Sequence, residues 1–179
     1  RYGNTPDSYY QDHVPIRDQH SLEGHAVRAI YFAGGLADLA LVTGDPDYRL
    51  VAHRYWDSVT LRRMYITGGI GAHEQHEALG EDYDLPLAGY AESCAANGLI
   101  DFASRMFQLD GRAECADIME RVIYNALLHS IALDGKTTYY RNPLSDRDNP
   151  RYNCWVCCPP NIARTLFRLG RYAYGFGAN

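Results

Sequence analysis

The sequence predicts an all-α fold of helical hairpins arranged as a toroid, with one short β-hairpin inserted. Three observations carry this. Long stretches with helical apolar spacing come in pairs, joined by tight turns at Thr43-Gly44-Asp45 and Leu109-Asp110-Gly111. The connection after the first pair is long and rich in groups that can do chemistry. A strand pattern is confined to Thr137-Thr138-Tyr139-Tyr140, after the hairpin-turn sequence Leu133-Asp134-Gly135-Lys136.

In chain order, residues 1–20 are polar, carry Pro6 and Pro15, and read as an extended loop. Ser21 is a candidate N-cap for a helix from about Leu22 to Val42, with His25, Ala29, Phe32, Leu36 and Leu39 along one face. Asp45 caps the next helix and Pro46 occupies its first turn. That helix runs to about Arg63 and buries Leu50, Tyr55 and Val59. Residues 64–84 form the long connection: a glycine-rich Tyr65-Ile66-Thr67-Gly68-Gly69-Ile70-Gly71, then His73-Glu74-Gln75-His76-Glu77 and Glu81-Asp82-Tyr83-Asp84. Its carboxylates and imidazoles make it the place to look for general acid/base groups. The second pair spans roughly Ala88–Leu109 and Arg112–Ser130, a loop occupies 141–153, and a last helix runs from about Pro159 to Tyr174. About two and a half pairs are too few to close a ring, and the chain opens on Arg1-Tyr2-Gly3. The expectation is therefore that residues 1–179 are part of a larger catalytic domain.

Composition narrows the function. The 179 residues are 46% hydrophobic with net charge −5 and no run of Lys or Arg, which argues against nucleic acid or an anionic membrane as partner. No apolar run approaches the ~20 residues of a membrane span. Aromatic content is tilted to tyrosine, with 15 Tyr against 5 Phe and 2 Trp; such rings suit carbohydrate clefts and half-buried surfaces alike. Five cysteines, three of them within residues 154–158, do not look like a secreted disulfide framework. A reducing, cytoplasmic setting or protection by metal fits better.

Tyr152-Asn153-Cys154-Trp155-Val156-Cys157-Cys158-Pro159-Pro160-Asn161 is the chemical centre of the chain. The two prolines suit a first helical turn, which puts Cys157 and Cys158 at a helix N-terminus, where dipole and free amides favour a thiolate. Two metal sets are open on spacing alone. One is Glu92, Cys94, Cys157 and Cys158, provided that Glu92-Ser93-Cys94 lies at an irregular helix start, because residues two apart do not face each other on a regular helix. The other is the C-x-x-C pair Cys154 and Cys157, slightly favoured by spacing. Cys115, among Ala113, Ala116 and Ile118, reads as an inert core residue.

Six motifs in series are more specific than any one of them. They are Gly24-His25-Ala26-Val27-Arg28-Ala29, the Tyr65–Gly71 stretch, Asp82-Tyr83-Asp84-Leu85-Pro86, Tyr90-Ala91-Glu92-Ser93-Cys94-Ala95, Glu120-Arg121-Val122-Ile123-Tyr124-Asn125, and Cys157-Cys158-Pro159-Pro160-Asn161. From about residue 20 to 175 the chain resembles the β-L-arabinofuranosidases of glycoside hydrolase family 127, the former DUF1680 group. The resemblance implies an (α/α)6 toroid bearing the active site and a retaining hydrolase that releases L-arabinofuranose from a glycan or oligosaccharide. It implies a Zn2+ ion on Glu92, Cys94, Cys157 and Cys158, with Cys157 as nucleophile and Glu77 as general acid/base. His25 and Glu120 match sugar-contacting positions, and Trp155 matches a residue beside the nucleophile. The chain departs from the pattern at His76, where the family usually has glycine, and between Pro86 and Glu92, which is one residue shorter. Glu74 and Glu81 are the alternatives to Glu77.

The implied chemistry is that of a retaining glycosidase with a thiolate in place of one carboxylate. Zinc would hold the thiol deprotonated, yet a metal-bound thiolate is a blunted nucleophile, so the metal bond must loosen during attack. A reading from another class is a non-catalytic, zinc-stabilised helical module that binds carbohydrate or a protein partner.

Overall fold

The computed structural model describes residues 5–145, 152–154 and 156–174. Helices α1 (Ala26–Thr43) and α2 (Pro46–Ser58) form one antiparallel pair, α3 (Ser93–Asp110) and α4 (Ala113–Val122) a second, and α5 (Cys158–Phe167) with α6 (Leu169–Ala173) closes the described chain. Among the described residues β-structure is limited to isolated bridges. Helix α3 is central, packing on α1, α4 and α5. A Cβ on Gly98 of α3 would lie 2.4 Å from Ile30 Cγ2 of α1, so only glycine lets these helices approach so closely. Trp56 and Phe102 meet edge-on at 5.8 Å between α2 and α3.

The turn chemistry behaves as the sequence predicts. Gly44 and Gly111 end α1 and α3 in the left-handed conformation, φ 67° and 68°. Asp45 caps α2 by accepting the Asp47 N–H at 2.8 Å, with Pro46 in the first turn. Both α2 and α4 run on into a π-helical turn, Val59–Arg63 and Ile123–Leu127.

Helix starts and faces differ in places. Helix α1 begins at Ala26, because Gly24 at φ 85° breaks the chain and His25 takes the cap; Ser21 bonds Glu23 instead. Helix α3 begins at Ser93, since Ala91 at φ 37° and the Tyr65 hydroxyl bond to the Pro86 carbonyl keep 86–92 irregular. The face that α1 buries carries Ala26, Ala29, Ala33, Ala37 and Ala40 with Ile30 and Leu36, so Ala29 and Leu36 lie inside as expected, whereas Phe32 and Leu39 are exposed. Likewise Val51, Ala52 and Trp56, not Leu50, are the inner residues of α2 alongside Tyr55. Helix α1 is also 18 residues long with mean hydropathy 1.4, enough by length and composition for a membrane span; 44% of it is buried inside the protein. The last helix breaks at Arg168.

The expected hairpin turn forms, with the Gly135 N–H on the Ala132 carbonyl, the Ala132 N–H on the Thr137 carbonyl and the Tyr139 N–H on the Ser130 carbonyl, but its second arm continues as a seam rather than a regular strand. Thr138 bridges Ile131, Tyr139 bridges Asn153, and Arg141 bridges Glu92. Three successive partners prevent a regular ladder. They also tie the end of the second helix pair, the cysteine loop and the start of α3 to one four-residue stretch, 138–141.

Candidate functional site

Glu92 is the N-cap residue of α3, in extended conformation (φ −62°, ψ 138°), so its side chain is released from helical spacing and meets that of Cys94. The seam fixes this start: the Ser93 N–H donates to the Tyr140 carbonyl at 2.9 Å, and Asn142 Nδ2 donates to the Ser93 hydroxyl at 2.9 Å. Opposite, Cys157 is the N-cap of α5 and Cys158 its first residue, with Pro159 and Pro160 in the first turn. Ligand atoms of Glu92, Cys94, Cys157 and Cys158 all lie within 4.8 Å of one another. Cys94 Sγ is 3.6 Å from Cys158 Sγ, Cys157 Sγ is 3.7 Å from Cys158 Sγ, and Cys157 Sγ is 3.7 Å from Glu92 Oε1. The structure thus assembles the first of the two sets open on spacing. Cys154 stands beside it, 4.0 Å from Cys157 Sγ.

Electrostatics show what this cluster lacks. Burial pushes the Glu92 carboxyl up to about 9, helped by the charges of Cys94 and Glu77. Hydrogen bonding with Cys158, and with the Asn161 amide that donates to the Cys94 sulfur at 3.1 Å, pulls Cys94 down to about 6. Burial, reinforced by Cys94, holds Cys157 well above the usual thiol value. Without a cation, these effects outweigh the pull of the helix N-terminus on Cys157. Glu92 Oε2 is buried without a hydrogen-bond partner. A buried carboxylate and three sulfurs that cannot all ionise together, one oxygen unsatisfied, are a donor set suited to a metal cation.

The long connection brings a second carboxylate to the site. Glu77 and His76 both lie in the left-handed region, φ 49° and 58°, a conformation at ease for glycine and strained for other residues. Glu77 is gripped at three points. His25 Nε2 is 2.8 Å from Oε2, the Tyr140 hydroxyl donates to Oε1, and the Tyr90 hydroxyl donates to the Glu77 carbonyl at 2.7 Å. His25 Nδ1 also accepts the Val27 N–H at 3.2 Å, so the same ring caps α1 and faces Glu77. The alternatives are placed otherwise: Glu74 pairs with Arg141 at 2.7 Å on the surface, and Glu81 is exposed. Glu120 is exposed on α4, beside a shallow notch with Asp117, Arg121 and Tyr124. Trp155 lies outside the described residues. Cys115 is buried on α4, as read.

The family model of the GH127 β-L-arabinofuranosidase catalytic domain matches residues 1–171. The chain belongs to this family. A non-reducing end β-L-arabinofuranosidase of Bifidobacterium longum subsp. longum is 38% identical over 183 residues, 93% of this chain and 28% of that protein. The crystal structure of a GH127 β-L-arabinofuranosidase from Geobacillus stearothermophilus T6 superposes with TM-score 0.90 at 37% identity, over 95% of this chain and 29% of that one. A structure described as a GH127 β-arabinofuranosidase gives 0.88 at 42%, over 97% and 28%. The chain thus spans under a third of the length of these GH127 relatives, and its helix pairs are of the (α/α)6 type.

Sequence reasoning missed Tyr140, Tyr90 and Asn161. Asn161 stands inside the Cys157–Asn161 motif and was open to notice. Tyr90 opens the Tyr90–Ala95 motif and was equally open to notice, whereas nothing local distinguishes Tyr140 among 15 tyrosines. Their roles come from the seam and from the turn at Gly71, where a Cβ would lie 2.4 Å from the Tyr90 ring.

Proposed function

We propose that this chain supplies the nucleophile, the acid/base and the metal ligands of a retaining β-L-arabinofuranosidase. The observation that carries the proposal is the convergence of Glu92, Cys94, Cys157 and Cys158 within 4.8 Å in a GH127 chain. Zinc suits the donor set of thiolates and a carboxylate. Tetrahedral zinc with Zn–S bonds of about 2.3 Å sets sulfurs about 3.8 Å apart, and the separations here are 3.6 and 3.7 Å. When bound, zinc keeps the thiols deprotonated against the burial that otherwise holds their protons.

The chain's own groups then divide the reaction. Cys157 Sγ attacks the anomeric carbon while Glu77 gives its proton to the leaving oxygen; the C–S bond forms as the C–O bond breaks. Water next attacks the same carbon, Glu77 takes its proton, and the C–S bond breaks to release the thiolate. His25 constrains where that proton sits. With Nδ1 accepting from Val27, Nε2 carries the ring hydrogen and donates to Oε2. The transferable proton therefore belongs on Oε1, on the Tyr140 side, where a hydroxyl can turn from donor to acceptor. His25, and by family resemblance Glu120 and Trp155, are assigned to sugar contact.

The test is hydrolysis of an aryl β-L-arabinofuranoside with the first-formed sugar followed by NMR. Retained configuration is expected, with turnover lost in Cys157→Ser while helical circular dichroism is kept. Turnover that survives Cys157→Ser refutes the nucleophile assignment, and an inverted product refutes double displacement.

A further inference from the structure

Cys154 is the one thiol of the cysteine loop that this chemistry leaves unused. It is buried, 8% exposed, with its sulfur 4.0 Å from Cys157 Sγ and in hydrogen-bonding reach of Cys158. Its backbone is anchored to the seam: its N–H donates to the Thr138 carbonyl at 2.7 Å and the Thr138 hydroxyl donates back to its carbonyl at 3.3 Å, while its sulfur accepts the Val156 and Cys158 N–H groups. Cys157 belongs to the N-terminus of α5, Cys154 to the seam.

Cys157 carries two duties that conflict. As its sulfur bonds to the anomeric carbon it becomes a thioether, neutral and a far weaker donor than a thiolate. The donor set then drops to Glu92, Cys94 and Cys158, and a buried dication loses one of the negative charges that offset it. Of the two cysteines outside the set, Cys115 is in the core on α4, while Cys154 touches two of its members.

We infer that Cys154 is a reserve metal ligand, which takes the fourth position when Cys157 leaves to bond the sugar. On ligation Cys154 yields its thiol proton to solvent, and it recovers one when the Cys157 thiolate returns. The donor set thus keeps three thiolates and one carboxylate at both stages. This also answers how the metal bond to the nucleophile loosens without the metal being lost. The inference rests on Cys157 being both ligand and nucleophile.

Cobalt(II), titrated into the metal-stripped chain, is the probe, because its near-ultraviolet sulfur-to-cobalt band grows with the number of bound thiolates. Wild type and Cys154→Ser are expected to show the same band, from Cys94, Cys157 and Cys158. Cys157→Ala, where Cys154 steps in, is expected to match them. The double variant should fall to about two thirds of that intensity and bind cobalt at least about tenfold more weakly. A Cys157→Ala band already at the double variant's level overturns the reserve-ligand role. Cys157→Ser, nearer in shape to the native residue, serves the same comparison if Cys157→Ala does not fold. Wild type that takes up no cobalt removes the metal centre itself, and this inference with it, a result distinct from a wild-type centre whose Cys157→Ala form has two thiolates.

Discussion

Glu92→Gln is the substitution whose sign should depend on the metal. In the metal-free chain the Glu92 carboxyl is raised from 4.5 to about 9 by burial first and by Cys94 and Glu77 next. A raised acid contributes its stability below its unfolded value, and that stability is lost as pH climbs towards the folded value. At pH 7 the solution is 2.5 pH units above 4.5, which at about 1.4 kcal/mol per unit amounts to roughly 3 kcal/mol withheld from the fold. Glutamine has the shape of the neutral carboxyl and no proton to lose. In a chelator, urea unfolding should therefore find Glu92→Gln more stable than wild type, by a margin that widens by about 1.4 kcal/mol per pH unit between 5 and 8. With saturating zinc the order should reverse, since the variant has lost an anionic ligand. A margin that stays flat across this pH range in chelator, or an order unchanged by zinc, would refute the view that Glu92 is held uncharged until a cation arrives.

Tyr140→Phe removes the hydroxyl at Oε1 of Glu77 and should lower kcat about 10- to 100-fold with little change in KM. The loss should shrink for aryl leaving groups that need no protonation; an equal loss for all leaving groups counts against a role at the proton. Gly68→Ala would place a Cβ 2.7 Å from Val122 Cγ2 and 3.0 Å from its Cα, at φ 84°, and should cost about 2–4 kcal/mol in urea unfolding. Gly35→Ala, on the exposed side of α1 with nothing within 4 Å, should instead add about 0.5–1 kcal/mol; a similar effect at both positions would mean that neither contact nor conformation decides. Cys115, pushed up to about 11 by burial, should take a maleimide at pH 8 in the metal-free chain more slowly than Cys94, which is pulled down to about 6, as mapped by mass spectrometry.

Local chemistry is what the sequence made legible. The turns at Gly44 and Gly111, the Asp45 cap and the proline-led start of α5 each depend on one or two residues in a fixed conformation, and all four stand where the spacing put them. The buried faces were legible only in part: Ala29 and Leu36 of α1 are inside, but the helix packs largely by alanines, and the larger Phe32 and Leu39 lie on the exposed side. The candidate metal set needed a condition, an irregular start to α3, and beside Ala91 and Tyr65 that start is held by Tyr140 and Asn142, some fifty residues on. No rule of spacing relates a helix cap to a seam that distant. His76 shows the converse. A histidine in a glycine's place is compatible with Glu77, because the backbone takes the left-handed turn with the strain it costs.

The seam gives the two halves of the site a common origin. The Tyr140 carbonyl fixes Ser93 and with it the Glu92 cap; its N–H reaches the Tyr152 carbonyl at the head of the cysteine loop; its hydroxyl holds Glu77. One residue thus sets the start of α3, the entry to the cysteine loop and the position of the Glu77 carboxylate. A retaining mechanism requires nucleophile and acid/base at a fixed separation across the glycosidic bond. Under the proposed assignment the separation of Cys157 and Glu77 would be set through a short stretch of backbone rather than through the packing of long helices, whose small shifts would otherwise be passed on to both groups independently. His25 extends the same economy to α1, since a ring that must stay in place to cap the helix is thereby kept in place for Glu77.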